Sequence, residues 1–488
     1  MGAWCEDANV SGTASFAWDQ HTRVWESGAL VAGGSPWRLS RLSGAAAGLA
    51  RRAHDAGAAG YAPTAGEAAL VDAFVDRGWL HPRAAPRPGP HDVTVIVPAF
   101  GRVEELRRTL DALAGLNVIV VDDGTPLPSP VAAVAEEYGV RCQRLDINSG
   151  PAAARNAGAR SATSEFVAFV DSDCAPAPGW LDHLMPLFDD ARVAVVAPRV
   201  AAQVAGDSVV ARYERERSAL DMGMHPALVR PGSRLGFVPS ATMVARRSVV
   251  LDMSFDGDLR VGEDVDLVWR ITDAGHHVRY QPDARVLHSG RDSWWDGLLR
   301  RRDYGMSAPL LEQRHPGRLT PGRVSAWNAM ALAAAATGHP VIGASVVAVS
   351  AGLLARRFSA MGIPASAAAR VVGMGVVADG VAVGHALRRE HWPLGAAALA
   401  TSPWSRAART GAVLMIAPLV HEWLTRRPAV DPVRYIALRM AADAAYGAGV
   451  TTACVRQLSL APLVPRVRVG FGRWTRGSGG RPAVASST

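Results

Sequence analysis

Between residues 93 and 170 the chain alternates short apolar runs with segments of helical periodicity, and this alternation restricts its fold more than any other feature. We predict strands at residues 93–97, 117–121, 141–145 and 165–170. Helices are predicted between them at residues 104–113, 131–138 and 151–161. Strands and helices that alternate at this rhythm form a parallel sheet of the doubly wound α/β kind.

Polar or aromatic side chains follow three of the four predicted strands. They are Phe100 and Arg102, Asp122 and Asp123, and Asp171 and Asp173. Open α/β sheets bind ligands at the carboxyl ends of their strands. Asp171 and Asp173 offer hard oxygen ligands to Mg²⁺ or Mn²⁺, and an ion held there would in turn hold a diphosphate. No G-x-G-x-x-G motif follows the first strand, so the dinucleotide-binding version of this fold is not supported.

The charge of the chain restricts its chemistry and its partners. All 52 basic residues are arginine, against 44 acidic residues, which gives a net charge of +8. The lack of lysine excludes a Schiff-base lysine and a P-loop lysine. An excess of arginine suits contacts with phosphate or acidic lipid. Nucleic-acid binding is not expected, because no basic stripe is interleaved with aromatic residues.

The cysteines indicate a reducing compartment. They are scattered without metal-ligand spacing, at Cys5, Cys142, Cys174 and Cys454. Such a pattern is typical of free thiols. The N-terminus lacks a basic segment followed by an apolar one, so no secretory signal is predicted. We therefore expect an active site that faces the cytoplasm.

Composition divides the rest of the chain. We predict an irregular tail to residue 28, a small helical unit at 29–83, the α/β domain at 91–315, an apolar helical region at 322–460 and a disordered tail at 461–488. In the small unit, one helix is predicted through Leu39, Leu42, Ala46 and Leu49 and a second at residues 66–77. The spacing of their apolar residues is helical.

The apolar region leaves two interpretations open. Residues 324–355 contain no Arg, Asp or Glu, and such a run is long enough to cross a bilayer. Arg356 and Arg357 follow it directly. The alternative is a soluble bundle of alanine-rich helices.

Five segments resemble, in order and spacing, the motifs of family 2 glycosyltransferases. They are residues 95–100, 120–124, 150–156, 169–173 and 261–270. The resemblance implies the GT-A fold, a Rossmann-like nucleotide-diphospho-sugar transferase domain. It also implies inverting, metal-dependent transfer of a hexose from a nucleotide-sugar donor, with UDP-glucose expected.

The same resemblance implies roles for single residues. The donor nucleotide would be bound by Pro98, Ala99, Phe100, Asp123, Arg155 and Asp171. The metal ion, Mg²⁺ or Mn²⁺, would be held by Asp171, Asp173 and His288. Asp264 would take the proton of the acceptor hydroxyl as catalytic base, with Glu263 beside it.

Several residues in and near these motifs also have a purely structural interpretation. Asp122 suits a turn, Asn156 a helix-terminal hydrogen bond, and His288 the end of a strand. Asp264 and Asp266 precede a predicted helix, where acidic side chains are favoured by the helix dipole. For Asp264 the two interpretations are compatible.

The flanking regions resemble one subfamily more closely. Residues 32–42 and 78–80 resemble the small winged-helix domains that recognise peptides. Such a unit before a family 2 domain, with an apolar C-terminal region, resembles transferases that add β-linked glucose to a peptide-derived redox cofactor precursor. That implies a peptide-derived small-molecule acceptor. It also implies an enzyme that lies in the cytoplasm, for which attachment to the inner face of the cell membrane is one expectation.

Two other functions stay open. The first is a membrane-associated transferase that acts on a lipid or cell-wall acceptor. The second is a binding protein that kept a nucleotide pocket without turnover, and the presence of Asp171, Asp173 and Asp264 argues against it. The chain lacks the Gln-x-x-Arg-Trp motif of processive family members, which argues against long-chain synthesis coupled to extrusion.

Overall fold

The computed structural model describes residues 15–289 and 293–469. The described strands are β1 Ser15–Trp18, β2 Arg23–Trp25, β3 Leu30–Gly33, β4 Arg38–Arg41, β5 Leu80–Arg83, β6 Val93–Ala99, β7 Asn117–Asp122, β8 Arg141–Arg144, β9 Phe166–Val170, β10 Cys174–Pro176, β11 Val193–Gln203, β12 Ala227–Val229, β13 Thr242–Arg246, β14 His277–Ser289, β15 Arg323–Ser325 and β16 Arg466–Arg468. The described α-helices are α1 Gly44–Asp55, α2 Ala68–Asp76, α3 Val103–Ala112, α4 Pro130–Glu137, α5 Pro151–Ser161, α6 Trp180–Leu184, α7 Val209–Arg217, α8 Arg247–Met253, α9 Glu263–Asp273, α10 Trp294–Met306, α11 Ala308–Arg314, α12 Ala326–Ala336, α13 Pro340–Ser359, α14 Ala365–Arg388, α15 Trp392–Thr401, α16 Arg406–Arg426 and α17 Pro432–Arg456.

The N-terminal unit combines the antiparallel sheet β2-β3-β4 with the pair β1-β5 and the helices α1 and α2. It begins earlier than predicted: β1 lies in the segment expected to be irregular, because Phe16 and Trp18 are buried and Trp18 packs edge-on against Phe74. Leu39 belongs to β4, so the first helix starts only after Ser43. The winged-helix assignment of this unit stays a prediction.

A nine-stranded sheet forms the central domain, in the order β10-β14-β11-β13-β9-β6-β7-β8 with β12 paired to β14. The strands β6, β7, β8 and β9 are parallel, as the alternating pattern predicts. The other half is mixed, since β13 runs antiparallel to both β9 and β11. The two halves together make an α/β sheet whose parallel strands end at one edge.

Helices cover both faces of this sheet. Alternate residues of β6 point to opposite faces, so Val95 packs on the side of α3 and α4 whereas Ile96 packs on the side of α5. At Gly158 the helix α5 comes so close that a Cβ would lie 2.4 Å from Cγ2 of Ile96. This close approach fixes the distance between α5 and the strand ends.

The C-terminal helices α12 to α17 follow the central domain. The uncharged run at residues 324–355, for which a membrane span and a soluble helical bundle are both open interpretations, is broken at Gly338, whose φ of 91° ends α12 and allows α13 to start in a new direction. Two helices in the described part, Pro340–Ser359 and Ala365–Arg388, are long and apolar enough to cross a membrane by length and composition.

The predicted disordered tail also differs in part from the structure. Its residues 466–468 form β16, which pairs in parallel with β15 and so returns the chain to the start of the helical region. The backbone hydrogen bonds of that pairing account for the order of this stretch. Residues 470–488, like the N-terminal residues 1–14 with Cys5, lie outside the described part of the chain.

Candidate active site

The site lies at the carboxyl ends of the parallel strands, where β6 delivers Pro98, Ala99 and the half-exposed ring of Phe100. At the end of β7, Asp122 is buried and accepts hydrogen bonds from the Ser129 hydroxyl and the Arg144 guanidinium, each at 2.6 Å. Burial alone would raise the pKa of Asp122, but the bonds from Ser129 and Thr125 and the charge of Arg144 hold it below its usual value. Asp122 therefore shapes the turn after β7.

Asp123 connects the loop after β7 to the loop before α5 by hydrogen bonds. Its two carboxylate oxygens each accept a backbone N–H, from Ser149 and Gly150, at 2.8 Å. The turn at Gly124 also lies close, because a Cβ there would meet the backbone of Ile147 at 2.4 Å. A carboxylate oxygen has a second lone pair, so Asp123 can still accept a bond from a ligand.

Arg155 lies at the centre of the site. This α5 side chain is only 2% exposed and donates to Asp171 at 2.6 Å and to Glu263 at 2.9 Å. Burial would lower the pKa of the guanidinium, but the charges of Asp171 and Glu263 raise it above its usual range. The predicted donor-side and base-side motifs are thus joined by one buried cation.

Asn156, the next residue along α5, has a different partner. Its amide donates to the Phe255 carbonyl at 2.7 Å and accepts from the Phe255 N–H at 2.9 Å. The Phe255 ring in turn lies 5.4 Å from the Arg155 guanidinium. Asn156 therefore holds the loop that packs against Arg155, rather than ending a helix.

Asp173 and His288 come together although 115 positions separate them in the sequence. The pairing of β10 with β14 places Cys174 opposite His288, which brings the imidazole Nε2 to 3.5 Å from the Asp173 carboxylate. Arg102 lies 3.7 Å from the same carboxylate oxygen. Burial favours a higher pKa for Asp173, but His288 and Arg102 hold its pKa below the usual value.

The pair formed by Asp173 and His288 suits a divalent ion that is shared with a substrate. Mg²⁺ in proteins is commonly bound by one or two carboxylates together with substrate phosphates and water. In the described ranges, no three His, Cys, Asp or Glu side chains are grouped closely enough to hold an ion by themselves. Asp171, the third predicted ligand, uses one oxygen for Arg155. Most ligands of an ion here would thus come from diphosphate and water.

Asp264 follows Glu263, the partner of Arg155, at the start of α9. Its carboxylate accepts backbone bonds from Ser240 at 3.1 Å and Val265 at 2.8 Å. Burial, together with the neighbouring charge of Glu263, raises the pKa of Asp264 to about 7. A carboxylate with this pKa can accept a proton from a hydroxyl group near neutral pH.

The next acidic residue of α9 has a structural role. Asp266 is buried and accepts from Arg270 at 2.8 Å and from His315 at 2.9 Å. The bond with His315 holds α9 against the residue that follows α11. The acidic start of α9 therefore contains one residue oriented by backbone N–H groups and one that anchors the helix.

Two residues of α10, Arg300 and Tyr304, also interact with the site, although the sequence motifs predict no role for them. Arg300 lies 3.3 Å from the hydroxyl of Tyr304, one helical turn further on. Burial would lower the pKa of Arg300, but Tyr304 and the charges of Asp171 and Asp173 raise it. The i, i+4 spacing of an arginine and a tyrosine after the last motif is the signal that could have identified them.

Comparisons with known proteins identify sequences and a structure that are similar to this chain. Residues 94–251 match the family model described as "Glycosyl transferase family 2". The "Pre-mycofactocin glycosyltransferase" of Mycobacterium tuberculosis (strain ATCC 25618 / H37Rv) is 37% identical over 475 residues, which cover 92% of this chain and 97% of that protein. "Glycosyltransferase AglE" of Haloferax volcanii is 26% identical over 41% of this chain and 67% of its own length. The crystal structure of GalNAc-T7 with UDP, GalNAc and Mn²⁺ matches with a TM-score of 0.35 and 16% identity, over 49% of this chain and 53% of its own.

Proposed function

Because the chain belongs to glycosyl transferase family 2 and is a glycosyltransferase of the GT-A fold, we propose a specific reaction for it. It transfers glucose from UDP-glucose, with inversion, to a peptide-derived redox cofactor precursor of the mycofactocin type. The acceptor is taken from the name of the relative that is 37% identical and that this chain covers to 97%. The donor and the inversion rest on the resemblance of the motifs to the family.

One observation carries this proposal: Arg155 bonds both to Asp171, on the donor side, and to Glu263, beside the base Asp264. Inverting transfer needs the base and the leaving group on opposite sides of the anomeric carbon. A single buried guanidinium that contacts both motifs fixes their separation, which favours an in-line arrangement of acceptor, sugar and diphosphate.

The residues divide the chemistry between them. Asp264 takes the proton of the acceptor hydroxyl as its oxygen attacks the anomeric carbon, and the bond from that carbon to the diphosphate breaks. Asp173 and His288, with Asp171, would hold Mg²⁺ or Mn²⁺, which when bound neutralises charge on the leaving diphosphate. Arg300 adds a fixed positive charge on the same side, because it interacts with Asp171 and Asp173.

The test is UDP release by the purified chain with a panel of UDP-sugars and acceptors. We expect release with UDP-glucose and pre-mycofactocin, and a β-linked glucose in the product. Release that needs a lipid or cell-wall acceptor would support the alternative, which the exposed apolar side chains of α13 and α14 favour. Nucleotide binding without release for any acceptor would contradict both.

The active site is proposed to face the cytoplasm. The described cysteines, Cys142, Cys174 and Cys454, are free thiols. Free thiols persist in a reducing compartment. Attachment to the inner face of the cell membrane forms part of this proposal, and a nucleotide sugar from the cytoplasm would reach the site directly.

The pKa of Asp264 predicts the pH profile. The base acts as a carboxylate, so it is protonated and inactive below its pKa of about 7 and active above it. We expect kcat to rise by about one log unit per pH unit up to about pH 7 and then to level off. UDP affinity measured over the same range serves as the control. A kcat that is constant from about pH 5.5 to 8.5 would refute the assignment.

The pair of Asp173 and His288 predicts the site of ion binding. Asp173→Asn and His288→Ala are each expected to weaken Mn²⁺ binding to the UDP-bound protein by more than about tenfold, as loss of even outer partners of metal sites does. Electron paramagnetic resonance of free Mn²⁺ measures this without turnover. Asp55→Asn, an exposed change in the N-terminal unit, is the matched control. Unchanged Mn²⁺ affinity in both site variants would show that the ion binds elsewhere.

A further inference from the structure

Two neighbouring turns of the C-terminal helices carry apolar side chains that the described residues leave uncovered. Residues 337–339 join α12 to α13, and residues 402–405 join α15 to α16. They are close together, because a nitrogen of Arg406 lies 2.6 Å from where a Cβ on Gly338 would be. Val341 and Ile342 are 77% and 55% exposed, and Trp404 is 82% exposed. We call residues 337–342 and 402–406 the hairpin-tip surface.

The exposed apolar surface continues along α13. Val349 and Leu353 are exposed on the face that Val341 begins, at helical spacing, whereas Leu354 and Phe358 are buried on the opposite face. Only 22% of the most apolar 18-residue stretch of α13 is buried inside the described protein, and only 28% of the corresponding stretch of α14 is buried. A core helix of a soluble protein would bury most of its apolar residues, so α13 faces a medium other than the described protein.

The packing of α14 shows how that medium can be reached. Near its start, Ala367 packs with Leu30 of the N-terminal sheet, and at its end Arg388 bonds to Asp443 of α17 at 3.0 Å. The N-terminal unit is itself joined to the central domain, where Arg192 donates to Asp72 at 2.9 Å. Both ends of α14 are therefore held against other parts of the described protein, the N-terminal sheet and α17, and we infer that they lie on the same side of a bilayer.

Charge identifies the occupant of this surface. Residues 326–460 contain twelve arginines and five acidic residues. Arg356, Arg406 and Arg409 are exposed at the ends of the apolar helices. Exposed tryptophan beside arginine is typical of segments that sit at the boundary between lipid headgroups and acyl chains. Anionic headgroups complement the arginines, and acyl chains complement Val341, Ile342 and Trp404.

We propose that the hairpin-tip surface and the exposed face of α13 dock on an anionic lipid bilayer from one side, with no helix crossing it. This inference rests on the membrane attachment given in the proposed function and names the surface that makes it, but it does not depend on which sugar or acceptor the enzyme uses. The bilayer would be bound by shallow insertion of the tips and by the surrounding arginines.

Vesicle flotation with the full chain tests this proposal. We expect the chain to float with vesicles of phosphatidylcholine containing about 30% phosphatidylglycerol, and much less with pure phosphatidylcholine, since charge and insertion act together. The double variant Val341→Asp, Ile342→Asp should lower the bound fraction at least tenfold, and Trp404→Ala should lower it less. An alkaline carbonate wash should release the bound wild type.

The matched control is Val433→Asp. Val433 is 76% exposed, but it lies beyond the far end of α16, a helix about 31 Å long. Far-UV circular dichroism and UDP release in detergent-free buffer should be the same for all variants, which excludes unfolding. Equal binding of the double variant and the wild type would overturn the proposal, as would equal losses in the control. Retention of the protein on the vesicles after the carbonate wash would overturn the one-sided geometry. A wild-type dimer that the double variant dissociates would show that the surface binds a second copy of the chain and not a bilayer.

Discussion

Replacement of Asp264 by asparagine is expected to lower kcat by about 10²–10⁴-fold, the range for loss of a general base. Asparagine has nearly the same shape and can still accept from the N–H of Ser240 or Val265, so the start of α9 should keep its position. It has no carboxylate to take the acceptor proton. UDP affinity should stay within about twofold, because Asp264 is on the acceptor side. Rapid-quench measurement of product formation with isothermal titration of UDP separates the two effects.

The stability of the same variant makes the test sharper. Asp264 is half-buried beside Glu263, and desolvation, together with repulsion by the charge of Glu263, raises its pKa to about 7. Above pH 7 the neutral amide removes that repulsion, so the melting temperature should not fall. Asp266→Asn is the matched comparison, because this buried carboxylate has two partners, Arg270 and His315, and its variant should melt earlier. A variant Asp264→Asn that retains more than a tenth of wild-type kcat would show that another group is the base.

Replacement of Arg155 by methionine is expected to cost about 3–5 kcal/mol of unfolding free energy, the range for removal of one partner from a buried ion pair. Asp171 and Glu263 would then be two carboxylates close to Asp264 without their shared cation. Transfer should also be lost, since the separation of the donor and base sides depends on this guanidinium. Urea unfolding followed by circular dichroism measures the free energy. Arg87→Met, which breaks an exposed pair with Asp189, should change it by less than about 1 kcal/mol.

A second substitution tests whether the cost arises from unpaired charge. In the background of Arg155→Met, Glu263→Gln removes one of the two carboxylates left without a partner, so it should recover part of the lost stability. In the wild type the same change removes a bonded partner of Arg155 and should destabilise. If Glu263→Gln destabilises both backgrounds equally, the two residues are not coupled and Arg155 does not join the halves of the site.

The local pattern of apolar residues was sufficient to predict the strands and helices of the parallel half of the sheet. The bounds of α5 match the predicted helix because Pro151 starts it and the apolar face of alanines packs on the sheet. β7 and β9 match within a residue, since continuous apolar runs in this rhythm have few other ways to be buried. The antiparallel strands β13 and β12 were not predicted, because their pairing depends on contacts far away in the sequence.

The same distinction applies to the site. Motifs read along the chain identify Asp173, His288, Arg155 and Glu263 as candidates, but not which of them touch. The bond from Arg155 to Glu263 joins residues 108 positions apart, and periodicity carries no information about it. Arg155 was expected near phosphate, and the structure adds that it is buried between two carboxylates, where it joins parts of the protein. Whether it also contacts the donor stays a prediction.

The close contact between α10 and α17 has a consequence for how the protein can be divided. At Gly449 a Cβ would lie 1.8 Å from the Arg302 carbonyl, and at Gly305 it would lie 2.1 Å from the Tyr446 carbonyl, so no larger residue fits between these helices. α10 carries Arg300 and Tyr304 towards the sugar-transfer site. The stretch recognised by the family model, residues 94–251, ends before α9 and α10. We therefore expect the smallest working enzyme to be longer than the stretch that the family model recognises: α17 packs directly on α10, and a chain cut before α17 would leave the helix that carries Arg300 and Tyr304 without this support.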